Sequence, residues 1–493
     1  MKKRSAYLAI DFGTSNVHAS VIDAETTRII VNTNKKYGWY YPAQNQVELH
    51  IDETWKASEW AVGEVIRQLP EDVELLAITF SYFGDSITPV DEKGEALYGM
   101  IPGFCGRSFK EVQTIGREIG ADTYAKITGN TLSTLATPSK IMWLRDNEPE
   151  VFKKAAGFYS NQQYVMRKLG LGDVQDRTMA ARKLMIDVKA NCWSAPILEL
   201  AGVTEQQLGT QIVESATVVG TIDHYGSVRL PRTLPVTIGC HDVSASLLSA
   251  GVRLENPDTI GVLMGTYEQM GYFSDTFVDG CNDFGDSLIF SCCYSSPFNN
   301  KYTVMDAFPT AGALLEWFCK NILCDPSADI GKLIADAKLD GTGSLMMLPY
   351  VENFHGAVVG MSLSTTTDEI FAAILESLAY QFVACVDYIR STRKQPFTRL
   401  HFGGGGSRTD KLLQLRADLI QAPLGRMQNI ELPSLGACML AGLGNNWYAS
   451  VEDAAAHMGN PVSYFEPIPE NETKYAERYA RYKAISADYL RRY

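Results

Sequence analysis

Residues 7–16 read Tyr7-Leu8-Ala9-Ile10-Asp11-Phe12-Gly13-Thr14-Ser15-Asn16: an apolar run, one carboxylate, then a Gly-Thr turn. A related stretch returns half a chain later, where Ile260-Gly261-Val262-Leu263-Met264 runs into Gly265-Thr266-Tyr267-Glu268. A third, Leu400-His401-Phe402, opens into Gly403-Gly404-Gly405-Gly406-Ser407. Each reads as a buried strand, a loop and then a helix, which is the pattern of an α/β protein. Because the first two stretches match, two domains of similar fold facing each other are expected. The crossing falls in Gly251-Val252-Arg253-Leu254-Glu255-Asn256-Pro257, where Asn256 and Pro257 break a helix. That divides the chain into residues 1–250 and 251–493.

The 493 residues carry a net charge of −13, which argues against a nucleic-acid partner, since phosphate backbones require a basic footprint. ATP is not excluded, because loop amides and Mg²⁺ meet its phosphates locally. The ten cysteines include no C-x-x-C pair and no zinc spacing, and read as buried thiols in a reducing cytosol. The basic start is followed by an apolar stretch too short for a signal peptide, broken by Asp11. Ile370 to Ile389, the longest apolar candidate, carries Glu376 and Asp387 and reads as a core helix rather than a membrane span. A soluble, cytoplasmic protein is the expectation. The tail after Tyr464 places Tyr475, Tyr479 and Tyr482 at helical spacing.

A Gly-Thr turn after a buried strand presents backbone N–H groups and a hydroxyl that suit a phosphate. Asp11 adds a carboxylate where Mg²⁺ could sit. A tight turn capped by Asp11 explains one such loop better. Two matched loops, one per half, favour a nucleotide gripped between lobes. Gly403 to Gly406 let the backbone approach a flat or charged ligand, or simply turn. The loop is not a Walker A motif, since no Gly-Lys-Ser/Thr follows, and Asp11-Phe12-Gly13 lacks the other protein-kinase signatures. Gly239-Cys240-His241-Asp242 precedes a small-residue helix ending near Gly251. Asp242 is at or near its N-cap, and capping alone explains it; the functional alternative is a general base for a hydroxyl that attacks phosphorus.

Taken together and in order, these loops resemble the FGGY carbohydrate kinases of the actin/hexokinase-like ATPase superfamily, from Tyr7 to about Tyr482. Asp11 to Asn16 is similar to the family's first phosphate loop, and Gly265 to Glu268 to the second. Gly404-Gly405-Gly406-Ser407, with Gln414 and Ala417-Asp418, resembles the adenosine motif. Leu435 to Gly442 resembles the helix under the nucleotide, and Lys140 to Leu144 and Asp176…Asp187 match first-domain structural stretches. The resemblance implies two RNase H-like domains around a central cleft, with ATP and Mg²⁺ as cofactors. The first domain would hold the sugar and the second the nucleotide. It implies Asp242 as base, Asp11 on Mg²⁺, and Gly13, Thr14, Ser15, Asn16, Gly265 and Thr266 around the phosphates. Family habit adds a homodimer.

Two departures bear on the sugar. The family's Trp-x-Asp-x-Arg stretch reads Gly103-Phe104-Cys105-Gly106-Arg107 here, and a sugar-contacting Asp reads Gln163 before Tyr164. Losing two carboxylates would weaken recognition of a highly hydroxylated sugar. Tyr82-Phe83-Gly84-Asp85, Cys105…Arg107, Cys240-His241-Asp242 and Gly265 to Glu268 look nearest the L-fuculokinase-like branch. That points to a 6-deoxy-ketose such as L-fuculose, with rhamnulose, ribulose, xylulose and glycerol as alternatives. Asp85 and Arg107 are the candidate sugar contacts; a turn residue and a surface ion pair account for them equally well. The loop from Val351 to Val359 is shorter than in many relatives. A non-catalytic sugar or nucleotide sensor, or an actin- or Hsp70-like ATPase, are the readings from other classes.

Overall fold

The computed structural model describes residues 3–255, 257–265, 267–279, 290–308, 311–339, 345–349, 356–393 and 396–492. Asn256 and Thr266 lie outside these, as do Tyr350 to His355, and with them most of the segment expected to be shortened.

Two seven-stranded sheets carry the architecture. The first contains β1 (Arg4–Phe12), β2 (Asn16–Asp23), β3 (Ile29–Lys36), β4 (Val73–Tyr82), β5 (Val218–Tyr225), β6 (Val228–Thr237) and β7 (Cys240–His241). The second contains β8 (Thr259–Met264), β9 (Glu268–Ser274), β10 (Phe290–Ser295), β11 (Tyr302–Phe308), β12 (Arg399–Gly403), β13 (Leu424–Met427) and β14 (Val462–Phe465). Their orders are β5-β6-β4-β1-β2-β3, with β7 on β4, and β10-β11-β9-β8-β12-β13-β14. In both, the leading strand pairs antiparallel with the next and parallel with one that arrives later: β1 with β2 and β4, β8 with β9 and β12.

The first two strand–loop units are therefore hairpins, not the strand–loop–helix units the sequence led us to expect. At the first, Gly13 N–H donates to Asn16 O (3.0 Å), closing a turn. Val17, Ala19 and Val21 then alternate inward along β2, a strand period rather than a helical one. Only the third unit, β12 into the Gly403–Ser407 loop, leads to a helix as expected.

The helices used below are α1 (Ile51–Gln68), α2 (Thr137–Asn147), α3 (Asn161–Lys168), α4 (Arg177–Ala181), α5 (Asp242–Ser249), α6 (Gly312–Asn321), α7 (Thr367–Thr392), α8 (Asp410–Ile420), α9 (Leu432–Gly444) and α10 (Glu472–Arg492). From Ala6 to Ile10 β1 is apolar because both its faces are covered. Leu8 and Ile10 join a core with Ala61 and Val62 of α1. Tyr7 and Ala9, on the opposite face, join a core shared with the second sheet through α5 and α9. These two helices cross closely: a Cβ on Gly436 of α9 would lie 1.8 Å from the Ala245 carbonyl of α5, so only glycine fits.

α7 contains the Ile370 to Ile389 stretch that reads from sequence as a core helix. Its 26 residues are long and apolar enough to cross a membrane by length and composition. Yet 78% of its most apolar window is buried inside the fold, which makes it a core helix. Tyr482 of α10 is buried and its ring lies 5.0 Å from that of Tyr380 on α7. Seven of the nine described cysteines are buried; Cys192 and Cys324 are exposed.

Candidate active site

Three strand ends meet at the cleft. β1 and β7 flank β4 in parallel, with Asp11 opposite Ser81 and Ser81 opposite Cys240. Ligands of open α/β sheets bind beyond such carboxyl ends. β7 is only two residues long and delivers the chain straight into α5, with Asp242 as its first residue. Gly239 makes this possible. Its φ is +75°, and a Cβ there would come 1.8 Å from the Phe80 carbonyl of β4.

Asp11 is 9% exposed and accepts a hydrogen bond from Ser81 Oγ; burial pushes its carboxyl upward. Asp242 keeps 27% of its side-chain exposure. Burial, with the Asp11 carboxylate next, pushes it up to about 8. The two carboxylates thus feel each other. Oδ1 of Asp242 accepts from Val243 N–H (2.7 Å) and lies 3.2 Å from His241 Nε2.

The loop after β4 closes one wall. Asp85 has φ +55°, and its carboxylate is paired with Arg182, just past α4, at 2.5 Å. Arg182 is 2% exposed and also donates to Asn130 Oδ1 (3.0 Å). The second carboxylate oxygen, Oδ1 of Asp85, is buried without a hydrogen-bond partner among the described residues. Sequence reasoning missed Arg182. A charged residue six positions past Asp176 in a helical stretch reads as a surface cation until Asp85 is placed beside it.

Arg107 has a different setting. Its guanidinium pairs with Glu48 (2.8 Å), donates to Cys105 Sγ (3.0 Å) and Val47 O (3.2 Å), and lies 4.7 Å from the Trp143 ring of α2. Its side chain is 0% exposed, so it has no surface to offer a sugar, and its ion pair is buried rather than superficial. Gln163 is likewise interior. It closes the capping box of α3 with Ser160 and binds Lys183 Nζ and Asp173. Cys105 is 0% exposed, its sulfur accepting from Val47 N–H and Arg107. Neither Cys105 nor Gln163 lines the cleft, so the argument for a deoxy sugar loses those two residues.

On the other sheet, Gly404 (φ +82°) and Gly406 rest on Met264, the last residue of β8, leaving no room for a Cβ at either. Gly405 faces open space. Gly265 follows Met264, its carbonyl accepting from Gly312 N–H of α6 (3.1 Å). Ser407 donates to Gly404 O (2.7 Å), so its hydroxyl closes the loop. Gln414 and Asp418 of α8 are bonded to each other and to residues 466–471. The α9 helix begins beneath this loop, with Ile430 O accepting from Gly404 N–H. Glu431, the next residue, is near enough to Asp11 to raise its carboxyl, and so links the two halves of the cleft.

Of the first turn, Thr14 is half-buried and Ser15 exposed; Tyr37 OH donates to the Gly13 and Asn16 carbonyls. Thr266 lies outside the described residues. No cluster of three metal-ligating side chains occurs among the described residues. Mg²⁺ in nucleotide sites takes only one or two carboxylates, with phosphate and water filling the rest. Two mutually repelling carboxylates at the cleft fit that donor set.

Paired sheets of this order, with Asp11 and Asp242 at the carboxyl ends of the first, form the two-domain fold of the actin/hexokinase-like type. Solved structures share the fold. Gluconate kinase from Lactobacillus acidophilus superposes with a TM-score of 0.84 at 18% identity, over 99% of each chain. Plasmodium falciparum glycerol kinase with ADP gives 0.82 at 20%, over 98% of each. The family models for the N-terminal and C-terminal domains of the FGGY carbohydrate kinases match residues 6–249 and 286–444. The chain belongs to the FGGY family of carbohydrate kinases and is an ATP-dependent sugar kinase. Among curated proteins it is 25% identical to glycerol kinase of Desulforamulus reducens, over 92% of each chain. It is 24% identical to xylulose kinase of Lactococcus lactis over 97% of this chain and 96% of that one. It is also 24% identical to L-fuculokinase of Escherichia coli O157:H7, over 95% and 99% respectively.

Proposed function

We propose that the protein transfers the γ-phosphoryl group of ATP to a hydroxyl of a ketose, with L-fuculose or a related deoxy-ketose as the first candidate. The carrying observation is Asp242, a half-buried carboxylate at a helix start, facing Asp11 and within 3.2 Å of His241 Nε2. Asp242 takes the proton of the sugar hydroxyl as its oxygen attacks the γ-phosphorus; the bond to the β–γ bridging oxygen breaks and ADP leaves. Residues 1–250 hold the sugar and 251–493 the nucleotide. Asp11 would hold Mg²⁺, which when bound neutralises phosphate charge. Gly13, Thr14, Ser15, Asn16, Gly265 and Thr266 line the phosphates, and Gly404 to Gly406 pack on the adenosine.

Asp85 supports the sugar assignment: Arg182 holds one oxygen, and the buried, unpartnered one is an acceptor for a sugar hydroxyl. Arg107, enclosed as it is, fixes the loop at 45–48 behind that wall. The deoxy-ketose preference now rests on the Tyr82 to Asp85 loop, the Cys-His-Asp segment and Gly265 to Glu268, so xylulose, rhamnulose, ribulose and glycerol belong in the same assay.

The test is ADP release with MgATP across L-fuculose, L-rhamnulose, D-ribulose, D-xylulose and glycerol, repeated with Asp242→Asn. A preferred ketose, with kcat lowered about 10²–10⁴-fold in the variant, is expected. Full turnover by Asp242→Asn overturns the base assignment. Binding of a sugar without any ADP release would replace the kinase reading with a sensor.

A further inference from the structure

His241 stands between Asp242 and a residue of the other sheet. It is 4% exposed; its Nε2 is 3.2 Å from Asp242 Oδ1 and its Nδ1 is 2.9 Å from the hydroxyl of Tyr294 on β10. The two rings meet edge to face at 5.6 Å. Tyr294 is itself fully buried, 3.4 Å from Ser244 Oγ, with the Arg182 guanidinium 5.0 Å from its ring centre. β10 is anchored to the first domain nearby. Cys293 N–H donates to Gly129 O (2.8 Å), and Asn130 pairs with Cys292 as a bridge. Gly129 has φ +68°, and a Cβ there would strike the Cys293 carbonyl at 1.7 Å.

A neutral imidazole carries one N–H, and its place is set by the bond at the other nitrogen. Burial, and then Arg182, hold His241 well below its ordinary range, so neutral is its resting form. With the proton on Nε2, His241 donates to Asp242, and Nδ1 accepts from the Tyr294 hydroxyl. With the proton on Nδ1, a lone pair faces the carboxylate. Only the first arrangement suits Asp242 in its ionised, proton-accepting form.

We propose that Tyr294, reaching across from the second sheet, fixes the His241 tautomer, and that His241 in turn orients Asp242. Oδ1 accepts from Val243 N–H and has His241 Nε2 3.2 Å away, while Oδ2 takes no hydrogen bond from the described residues and is left for the sugar hydroxyl. Both are positioning residues, and the orientation of the base depends on the two lobes being docked. This rests on the reading of Asp242 as the base.

The test compares Tyr294→Phe, His241→Gln and His241→Ala with wild type on the preferred sugar of the panel, and reads the imidazole by nitrogen-15 NMR, assigned by its loss in His241→Gln. Tyr294→Phe is expected to lower kcat roughly 3–10-fold, the worth of one neutral hydrogen bond, with both KM values unchanged. His241→Gln, whose amide N–H reaches the Nε2 position, recovers turnover lost in His241→Ala. Above about pH 8, where Asp242 is ionised, the wild-type ring shows a protonated Nε2 and a bare Nδ1, and Tyr294→Phe shows both tautomers. A proton on Nδ1 in wild type, or an unchanged kcat in Tyr294→Phe, overturns the proposal. If Asp242→Asn is inactive while Tyr294→Phe turns over normally, only the positioning role falls. If Asp242→Asn is active, the base assignment falls and takes this role with it.

Discussion

The hairpins β1–β2 and β8–β9 begin alike and use their carboxylates in opposite ways. Asp11 sits two residues before its turn glycine, at a strand end that faces the cleft. The matching position before Gly265 is Leu263, which carries no charge. The acid of the second hairpin is Glu268, three residues after the glycine, where the first hairpin has Asn16. Glu268 points inward, and Arg416 of α8 grips both its oxygens, at 2.6 and 2.8 Å, with each side chain 1% exposed. Burial pushes Glu268 upward against the pull of that partner. One hairpin thus keeps its carboxylate at the strand end, and the other uses its own to lock α8 to the sheet.

Removing the second carboxylate tests this difference most severely. Glu268→Gln leaves the Arg416 charge buried and unpaired, which is expected to cost about 3–5 kcal/mol in urea unfolding. Turnover per folded molecule should stay near wild type. A loss under about 1 kcal/mol would mean the pair is not the lock described.

Asp11→Asn is the opposite case. Turnover with MgATP should fall about 10–100-fold, on the scale of lost metal-site support, without loss of stability. If Asp11→Asn unfolds the protein and leaves the surviving fraction active, the two carboxylates serve the same structural end and the comparison fails.

A smaller effect concerns pH. The Asp242 carboxyl ionises near 4 in an unfolded chain, as aspartates do, and at about 8 in the folded one. Between those values the unfolded chain has lost a proton the folded chain still holds. Wild-type stability therefore falls as pH rises through that window and levels off above about 8. Asp242→Asn has no such proton. It should unfold at the same temperature as wild type near pH 4, and a few degrees higher, roughly 2–4 °C, at pH 8. Thermal melts showing equal midpoints at both pH values would contradict the burial of Asp242 beside Asp11.

The smallest expected change is on the Gly403–Ser407 loop. Gly405→Ala should leave stability within about 0.5 kcal/mol, since its Cβ meets open space, while raising the KM for ATP if adenosine packs there. Gly404→Ala, at φ +82° against the Met264 carbonyl, should destabilise by about 1 kcal/mol or more. Equal behaviour of the two would show that the loop is not seated on β8 as described.

Much of this was legible in the residues themselves. Apolar runs ending in glycine gave the leading strands, and the small-residue segment after Asp242 gave α5. What misled was the unit after each Gly-Thr turn. Strand alternation in Val17, Ala19 and Val21 is present, but it is brief, and the resemblance of the turn to a strand-to-helix loop overrode it. Arg107 and Gln163 misled for another reason. Their types, an arginine and an amide at positions that the family resemblance tied to the sugar, say nothing of direction, and Glu48, Trp143 and Lys183 turn them inward.

The sequence by itself determined the two-lobed kinase fold and the loops from which its candidate site residues come, because strand patterning and turn glycines are local and reveal themselves within a few residues. Only the tertiary structure decided which charged groups face the cleft. Asp85 with Arg182, 97 residues apart, Glu268 with Arg416, 148 apart, and His241 with Tyr294, 53 apart, are pairings made by sheet order. A buried charge must find its partner wherever the fold brings one, and that partner is not written beside it in the chain.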